Sequence, residues 1–231
     1  MWIAPEASVF YRLLQRIGWW LLRNLSHLDI SGLENVPARG PVIIAPNHLH
    51  MLDVVVVGIV IPRRQIVFAA DKWRGTMGGC LMQIIANAIF VARGEPDRRA
   101  LNKAMRVLQA GGALAIAPEG TRSRTGGLLR GKNGTAYLAS RTSAAIVPVA
   151  VWGQEKALGS WVRLRRPPIH VRVGQPIHLP PQSRDARGEE LRVYTDQIML
   201  AIARMLPPQY RGVYAEQVAA EEEGPARGST V

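Results

Sequence analysis

Apolar residues arrive in this chain in two patterns: short unbroken runs closed by Gly- and Pro-bearing turns, and longer stretches in which they recur every three or four positions. The first pattern reads as buried strand and the second as helix with one apolar face. Strands are expected at residues 28–33, 42–45, 66–70, 89–92, 113–117, 146–152 and 169–173. Helices are expected at 9–28, 54–61, 76–85, 97–110, 135–141 and 189–206. The fourth of these stops at Gly111-Gly112, and the last carries Leu191, Tyr194, Ile198, Ile202 and Met205 on one face. No internal repeat is evident. Alternation of strand and helix predicts one α/β domain with a mainly parallel central sheet flanked by helices. Its expected bounds are 29–213, preceded by an N-terminal amphipathic helix (1–28) and followed by an Ala/Glu/Gly-rich tail (214–231) whose composition predicts disorder.

The first helix has a distinctive pattern. Phe10, Leu13, Leu14, Ile17, Leu21, Leu25 and Leu28 follow helical spacing, while Arg12, Arg16 and Arg23 take the opposite side. Three arginines in so short a stretch argue against a bilayer span. With Trp19 and Trp20 they suit a helix lying in the headgroup region, and packing against its own domain is compatible with that placement. No cleavable signal peptide is read at the start of the chain. The expected location is the cytoplasmic face of the cell membrane, as a peripheral or monotopic protein.

Composition narrows the partners. The 231 residues suffice for one domain with a sizeable core, and hydrophobic residues make up 48%. A net charge of +12, with 25 of the 29 basic residues arginine, calls for an anionic partner: nucleic acid, an anionic membrane surface or a phosphorylated substrate. Arginine suits bidentate phosphate recognition. The one cysteine, Cys80, excludes a disulfide within the chain and reads as core packing beside Met77, Leu81 and Met82.

Candidate chemistry concentrates in residues 41–53. The strand at 42–45 lies between Pro41 and Pro46; Asn47 and His48 follow it, and Asp53 comes five residues after His48. Five residues along a straight helix turn the chain by ~500°, so the two side chains meet only if His48 occupies the strand-to-helix corner and Asp53 reaches back from the first turn. A carboxylate accepting Nδ1–H fixes the imidazole tautomer and leaves Nε2 free to take a proton from a hydroxyl. Taken alone, the pair reads as simply as a helix cap with an acid at the positive end of a dipole.

Three later segments change that balance. Phe90-Val91-Ala92-Arg93, Pro118-Glu119-Gly120-Thr121-Arg122 and Val147-Pro148-Val149 follow in order, each at an apolar strand. In parallel α/β sheets ligands gather at the carboxyl ends of strands, which sets His48, Arg93 and Glu119–Arg122 along one edge. The ordered set resembles the glycerolipid acyltransferases, the family of 1-acylglycerol-3-phosphate O-acyltransferases, over about residues 10–215. The resemblance implies transfer of a fatty acyl group from acyl-CoA or acyl-carrier protein to the free hydroxyl of lysophosphatidic acid, giving phosphatidic acid, at an anionic membrane surface. It implies His48 as general base, Asp53 holding its imidazole, and a substrate-binding set of Asn47, Arg93, Glu119, Gly120, Thr121, Arg122 and Lys132. It implies no metal and no organic cofactor. Asn87 and Ala92 depart from the usual second motif, where glycine and aspartate stand, and Arg-Gly-Lys-Asn-Gly at 130–134 departs from the usual Lys-x-Gly-Ala.

Other readings predict different behaviour. His48-Leu49-His50 with Asp53 partly mimics a metal-dependent hydrolase signature, but only His27, His170 and His178 remain as further histidine ligands. Arg163, Arg165 and Arg166 suit a nucleic-acid-binding protein, yet aromatics are only 6% and no nucleic-acid motif is present. An inactive lipid-binding module would have little use for an intact His48/Asp53 pair.

Overall fold

The computed structural model describes residues 9–71, 74–76, 88–91 and 98–223. The expected helix at 76–85, Cys80, Asn87, Ala92, Arg93 and the last eight residues lie wholly or mainly outside them. Seven strands are described: β1 (His27–Ser31), β2 (Val42–Pro46), β3 (Gln65–Ala70), β4 (Ile89–Val91), β5 (Ala113–Ala115), β6 (Ala145–Trp152) and β7 (Pro168–Val173). The helices are α1 (Val9–Leu25), α2 (Leu52–Val60), α3 (Arg98–Gln109), α4 (Gly134–Thr142), α5 (Ala157–Val162), α6 (Gly188–Met205) and α7 (Ala215–Glu223).

The strands form one sheet in the order β1-β7-β6-β2-β5-β3-β4, parallel at every pairing except β6 with β7. This is the expected α/β architecture with a mainly parallel sheet, but β7 and β1 run opposite to the other five strands. Helices cover both faces. Ile43, Leu114, Ile146 and Ala150 pack with α3, α4 and α6, while Val42, Ile44, Val147, Val149 and Val151 pack with α2 and Leu22 of α1. Strands covered on both sides need no alternation, so β2 is buried at every position, and each large aliphatic side chain removed from water contributes roughly 1.5–3 kcal/mol. β7 alternates buried positions with exposed or half-buried ones, because one face of the β7/β1 edge is less covered than the other.

Two expectations need correction. The first helix ends at Leu25, not 28, since His27–Ser31 pair in register with Pro168–Arg172, and Gly32 then turns the chain at φ +79°. The face that α1 turns inward is one that its apolar periodicity does not mark. Tyr11 and Leu22 are buried and Gln15 Nε2 donates to the carbonyls of Gly58, Ile59 and Ile61, which close the end of α2. The apolar row of Leu13, Ile17, Leu21 and Leu25 faces out. Finally, residues 215–223 of the expected disordered tail form α7. Val218 is fully buried and Tyr214 nearly so, and Glu221 and Glu222 pair with Arg204 and Arg211. Local composition carries no trace of those tertiary anchors.

Candidate active site

The carboxyl ends of β2, β5 and β6 lie side by side, and the loops leaving them converge on His48. Asn47 leaves β2 with its backbone N–H still on Val149 O at 3.3 Å. Its side chain then imitates one more rung of the ladder: Nδ2 donates to Val151 O at 2.9 Å, and Oδ1 accepts from Val151 N–H at 2.7 Å. Asn47 is fully buried and its amide is committed to the sheet. It is a fold-forming bracket, which corrects its expected place among the substrate contacts.

His48 stands at the corner between β2 and α2, and Asp53 lies in the first turn of α2. Nδ1 of His48 is 3.0 Å from Asp53 Oδ2. The same oxygen accepts the N–H groups of Leu49 at 2.7 Å and His50 at 2.8 Å, so the helix-capping reading and the dyad reading describe one carboxylate. An ionised carboxylate only accepts hydrogen bonds. The pairing therefore calls for the proton on Nδ1, and in the neutral ring Nε2 then carries the lone pair. Asp53 is sequestered, with 2% of its side chain exposed against 17% for His48.

A residue with no motif completes the pair. Gln154 is fully buried and donates from Nε2 to Asp53 Oδ1 at 2.6 Å, while its Oε1 has no partner among the described residues. Gly153 makes the approach possible. Its φ is +90°, and a Cβ there would stand 2.2 Å from Pro168 O. The glycine directly after β6 is the only sequence signal that could have drawn attention to this position.

Glu119 ties the second loop to the first. Oε1 accepts His48 N–H at 2.7 Å and Oε2 accepts Leu129 N–H at 2.8 Å, while Ser123 N–H donates to His48 O at 2.8 Å. His48 is thus gripped at both backbone groups by residues 119–123. Burial pushes the Glu119 carboxyl from its ordinary 4.5 to about 7, against the opposing pull of the two N–H donors. The folded protein then keeps a proton that the unfolded chain has released. Its stability contribution is fully present below pH 4.5 and is lost as the pH rises through about 7. At ~1.4 kcal/mol per unit the loss amounts to roughly 3 kcal/mol. Glu119→Gln should flatten the fall in unfolding free energy between about pH 5 and pH 8. An unchanged slope in urea titrations would assign the fall to other groups.

The remaining expected residues surround this bracket. Gly120 takes φ +64°, and a Cβ on it would meet Lys132 Cδ at 2.9 Å, so the lysine stem lies across the glycine. Lys132 N–H closes the loop on Pro118 O at 2.7 Å. Thr121 is half-buried beside them. Arg122 is exposed and has no hydrogen-bond or ion-pair partner among the described residues, leaving its guanidinium available to an anion. Arg93 lies outside the described residues. His50 is turned to local use, its Nδ1 accepting Leu52 N–H at 3.3 Å. Among the described residues no three His, Cys, Asp or Glu side chains are grouped so as to share a metal ion.

Comparison with known proteins bears on this arrangement. A family model described as Acyltransferase matches residues 27–152, more than half of the chain, and takes in every part of the bracket except Gln154. The 1-acyl-sn-glycerol-3-phosphate acyltransferase of Cocos nucifera is 27% identical over 211 residues, covering 87% of this chain and 64% of the relative. That of Borreliella burgdorferi is 27% identical over 146 residues, covering 62% of this chain and 58% of the relative. The chain thus spans less than two thirds of the length of either. The crystal structure of the 1-acyl-sn-glycerophosphate acyltransferase PlsC from Thermotoga maritima shares the fold, with a TM-score of 0.64 at 24% identity over 95% of this chain and 81% of that one.

Proposed function

The chain belongs to the Acyltransferase family, and we propose from this premise that it moves a fatty acyl group from a thioester donor, acyl-CoA or acyl-carrier protein, to the free hydroxyl of lysophosphatidic acid. The observation that carries the reading is the His48 ring, 17% exposed, with Nδ1 3.0 Å from a buried, fourfold-bonded carboxylate. Nε2 takes the hydroxyl proton as the oxygen attacks the thioester carbonyl carbon. The C–O bond forms, the C–S bond breaks, and the proton passes from Nε2 to the departing sulfur. Phosphatidic acid and the free thiol are the products. Asp53 stabilises the imidazolium that exists between the two transfers. A thioester is already activated, so this chemistry calls for no metal and no organic cofactor. One general base contributes roughly 10²–10⁴-fold, and holding acceptor and thioester together adds to it.

The acceptor phosphate is assigned to Arg122, with Lys132 beside it across Gly120 and Arg93 proposed as a further contact from the family resemblance. Glu119 acts by shaping this loop. Charge-assisted bonds to a phosphate contribute roughly 1.5–3 kcal/mol, so Arg122→Ala should raise KM for lysophosphatidic acid by about tenfold or more with kcat little changed. An unaltered KM would remove Arg122 from the acceptor site.

Membrane contact is assigned to α1. Val9, Leu13, Ile17, Trp20, Leu21 and Leu25 are between 41% and 75% exposed, and Arg12, Arg16 and Arg23 are exposed around them. No described helix is long and apolar enough to cross a membrane, and this arrangement suits a helix lying in the interface of the cytoplasmic leaflet. The deciding experiment offers acyl-CoA or acyl-carrier protein with lysophosphatidic acid, lysophosphatidylcholine or glycerol 3-phosphate, with and without EDTA. Product from lysophosphatidic acid alone, indifferent to EDTA, is expected. Activity abolished by EDTA, or product from another acceptor alone, would overturn the reading.

A further inference from the structure

Arg163, Arg165 and Arg166, which the sequence offers as a nucleic-acid patch, sit on a protrusion formed by α5 and residues 163–166. We infer that this protrusion is a second lipid-contact surface, seated on an anionic bilayer beside α1. The inference rests on the reading of α1 as a membrane-lying helix.

Helix α5 presents Leu158 and Val162 one turn apart, 53% and 86% exposed, and Leu164 follows at 97%. The helix closes with Leu164 N–H on Trp161 O and Arg165 N–H on Ser160 O, both at 2.9 Å. This is the paired-bond ending in which glycine ordinarily takes the left-handed position. Here Leu164 takes it, at φ 53°. A leucine is unfavourable there on both counts, because its Cβ crowds the left-handed backbone and its side chain stands in water. At 97% exposure it contributes almost nothing to the fold. An apolar medium outside the protein gives it a use.

The protrusion is fixed to α1. Trp161 Nε1 donates to Leu25 O at 2.8 Å, and Arg166 donates to Arg23 O and Ser26 O, each at 2.8 Å. These bonds occupy the carbonyls that end α1, so the exposed Leu21 and Leu25 and the exposed Val162 and Leu164 belong to one rigid unit. Charge selects the partner. Residues 157–168 contain three arginines and no acid, and the side chains of Arg163 and Arg165 have no partner among the described residues. Cations bordering exposed aliphatic groups match an anionic interface. Nucleic acid would call for exposed aromatic rings on which bases stack, whereas the one aromatic here, Trp161, is half-buried and docked on α1.

Binding of the full chain to phosphatidylcholine vesicles, with and without phosphatidylglycerol, tests the inference. Leu164→Gly combined with Val162→Ser should weaken binding to both vesicle types about tenfold or more. Its melting temperature should stay the same or rise, because glycine suits the left-handed position. Arg163→Gln with Arg165→Gln should weaken binding to the anionic vesicles by roughly fivefold per charge and hardly affect the neutral ones. Ile17→Ser with Trp20→Ser reads α1 separately. If only the α1 variant loses binding, the second surface is overturned while the α1 reading stands. If the unaltered chain binds neither vesicle, both fall. If the arginine variant loses oligonucleotide binding and keeps vesicle binding, the patch serves nucleic acid and the inference fails.

Discussion

Replacing His48 by alanine is expected to lower kcat/KM for acyl transfer by at least ~10²–10⁴-fold, with little change in KM for either substrate. The ring's one hydrogen bond among the described residues is that of Nδ1 with Asp53. The bonds that place residue 48 are made by its backbone, N–H to Glu119 and C=O from Ser123, and both survive the substitution. His48→Ala should therefore keep vesicle binding and the unfolding midpoint close to those of the parent chain. Single-turnover acyl transfer with purified protein is the measurement. A variant retaining more than about a tenth of the parent rate would show that the acceptor hydroxyl is deprotonated elsewhere, since a base contributes ten times that or more.

Much of this site is legible in the sequence because its parts stand where an unbroken apolar run ends. Val42–Pro46 and Ala145–Trp152 are covered on both faces, so their apolar character runs without alternation and their ends are sharp. A polar group directly after such a run has to lie at the sheet edge, and His48 and Glu119 are both found there. What periodicity hides is the direction a face takes. The apolar row of α1 is real, yet it points outward, because Gln15 satisfies the carbonyls ending α2 and Ile59 packs against Gly18. Periodicity marks that a helix has an apolar face and leaves open which way the face turns.

The other hidden features depend on distant partners. Gln154 lies 101 residues from the carboxylate it holds. Asn47 has the residue type of a substrate contact, and only Val151 across the ladder shows that its amide is already in use. The reversed direction of β7 and β1 is likewise set by pairing, which neither strand's own pattern encodes. These long-range choices shape the site, because the turn leaving β6 delivers Gln154 to Asp53 and α5 to the end of α1.

The Asp53 substitutions separate charge from scaffold. Asp53→Asn keeps one oxygen that can accept from Nδ1 of His48 and from the N–H groups of Leu49 and His50, provided its NH₂ takes the place of Oδ1. That NH₂ then meets Gln154, whose amide can turn to present the Oε1 that now lacks a partner. The imidazole tautomer and the cap both persist, and what disappears is the negative charge facing the imidazolium. Asp53→Asn is thus expected to fold with nearly parental stability and to lose roughly 10²–10⁴-fold in kcat. Asp53→Ala leaves the Leu49, His50 and Gln154 donors buried without acceptors, at about 1–3 kcal/mol each, so it should lose stability as well as rate. Gln154→Leu removes the adjustable amide. Gln154→Leu also strips Oδ1 of the ionised carboxylate of its donor, so the double change with Asp53→Asn should cost less than the sum of the two single changes, a coupling readable in a double-mutant cycle of urea unfolding. Additive effects would mean that the two side chains are not coupled, and equal stabilities of Asp53→Asn and Asp53→Ala would mean that the three donors do not depend on residue 53.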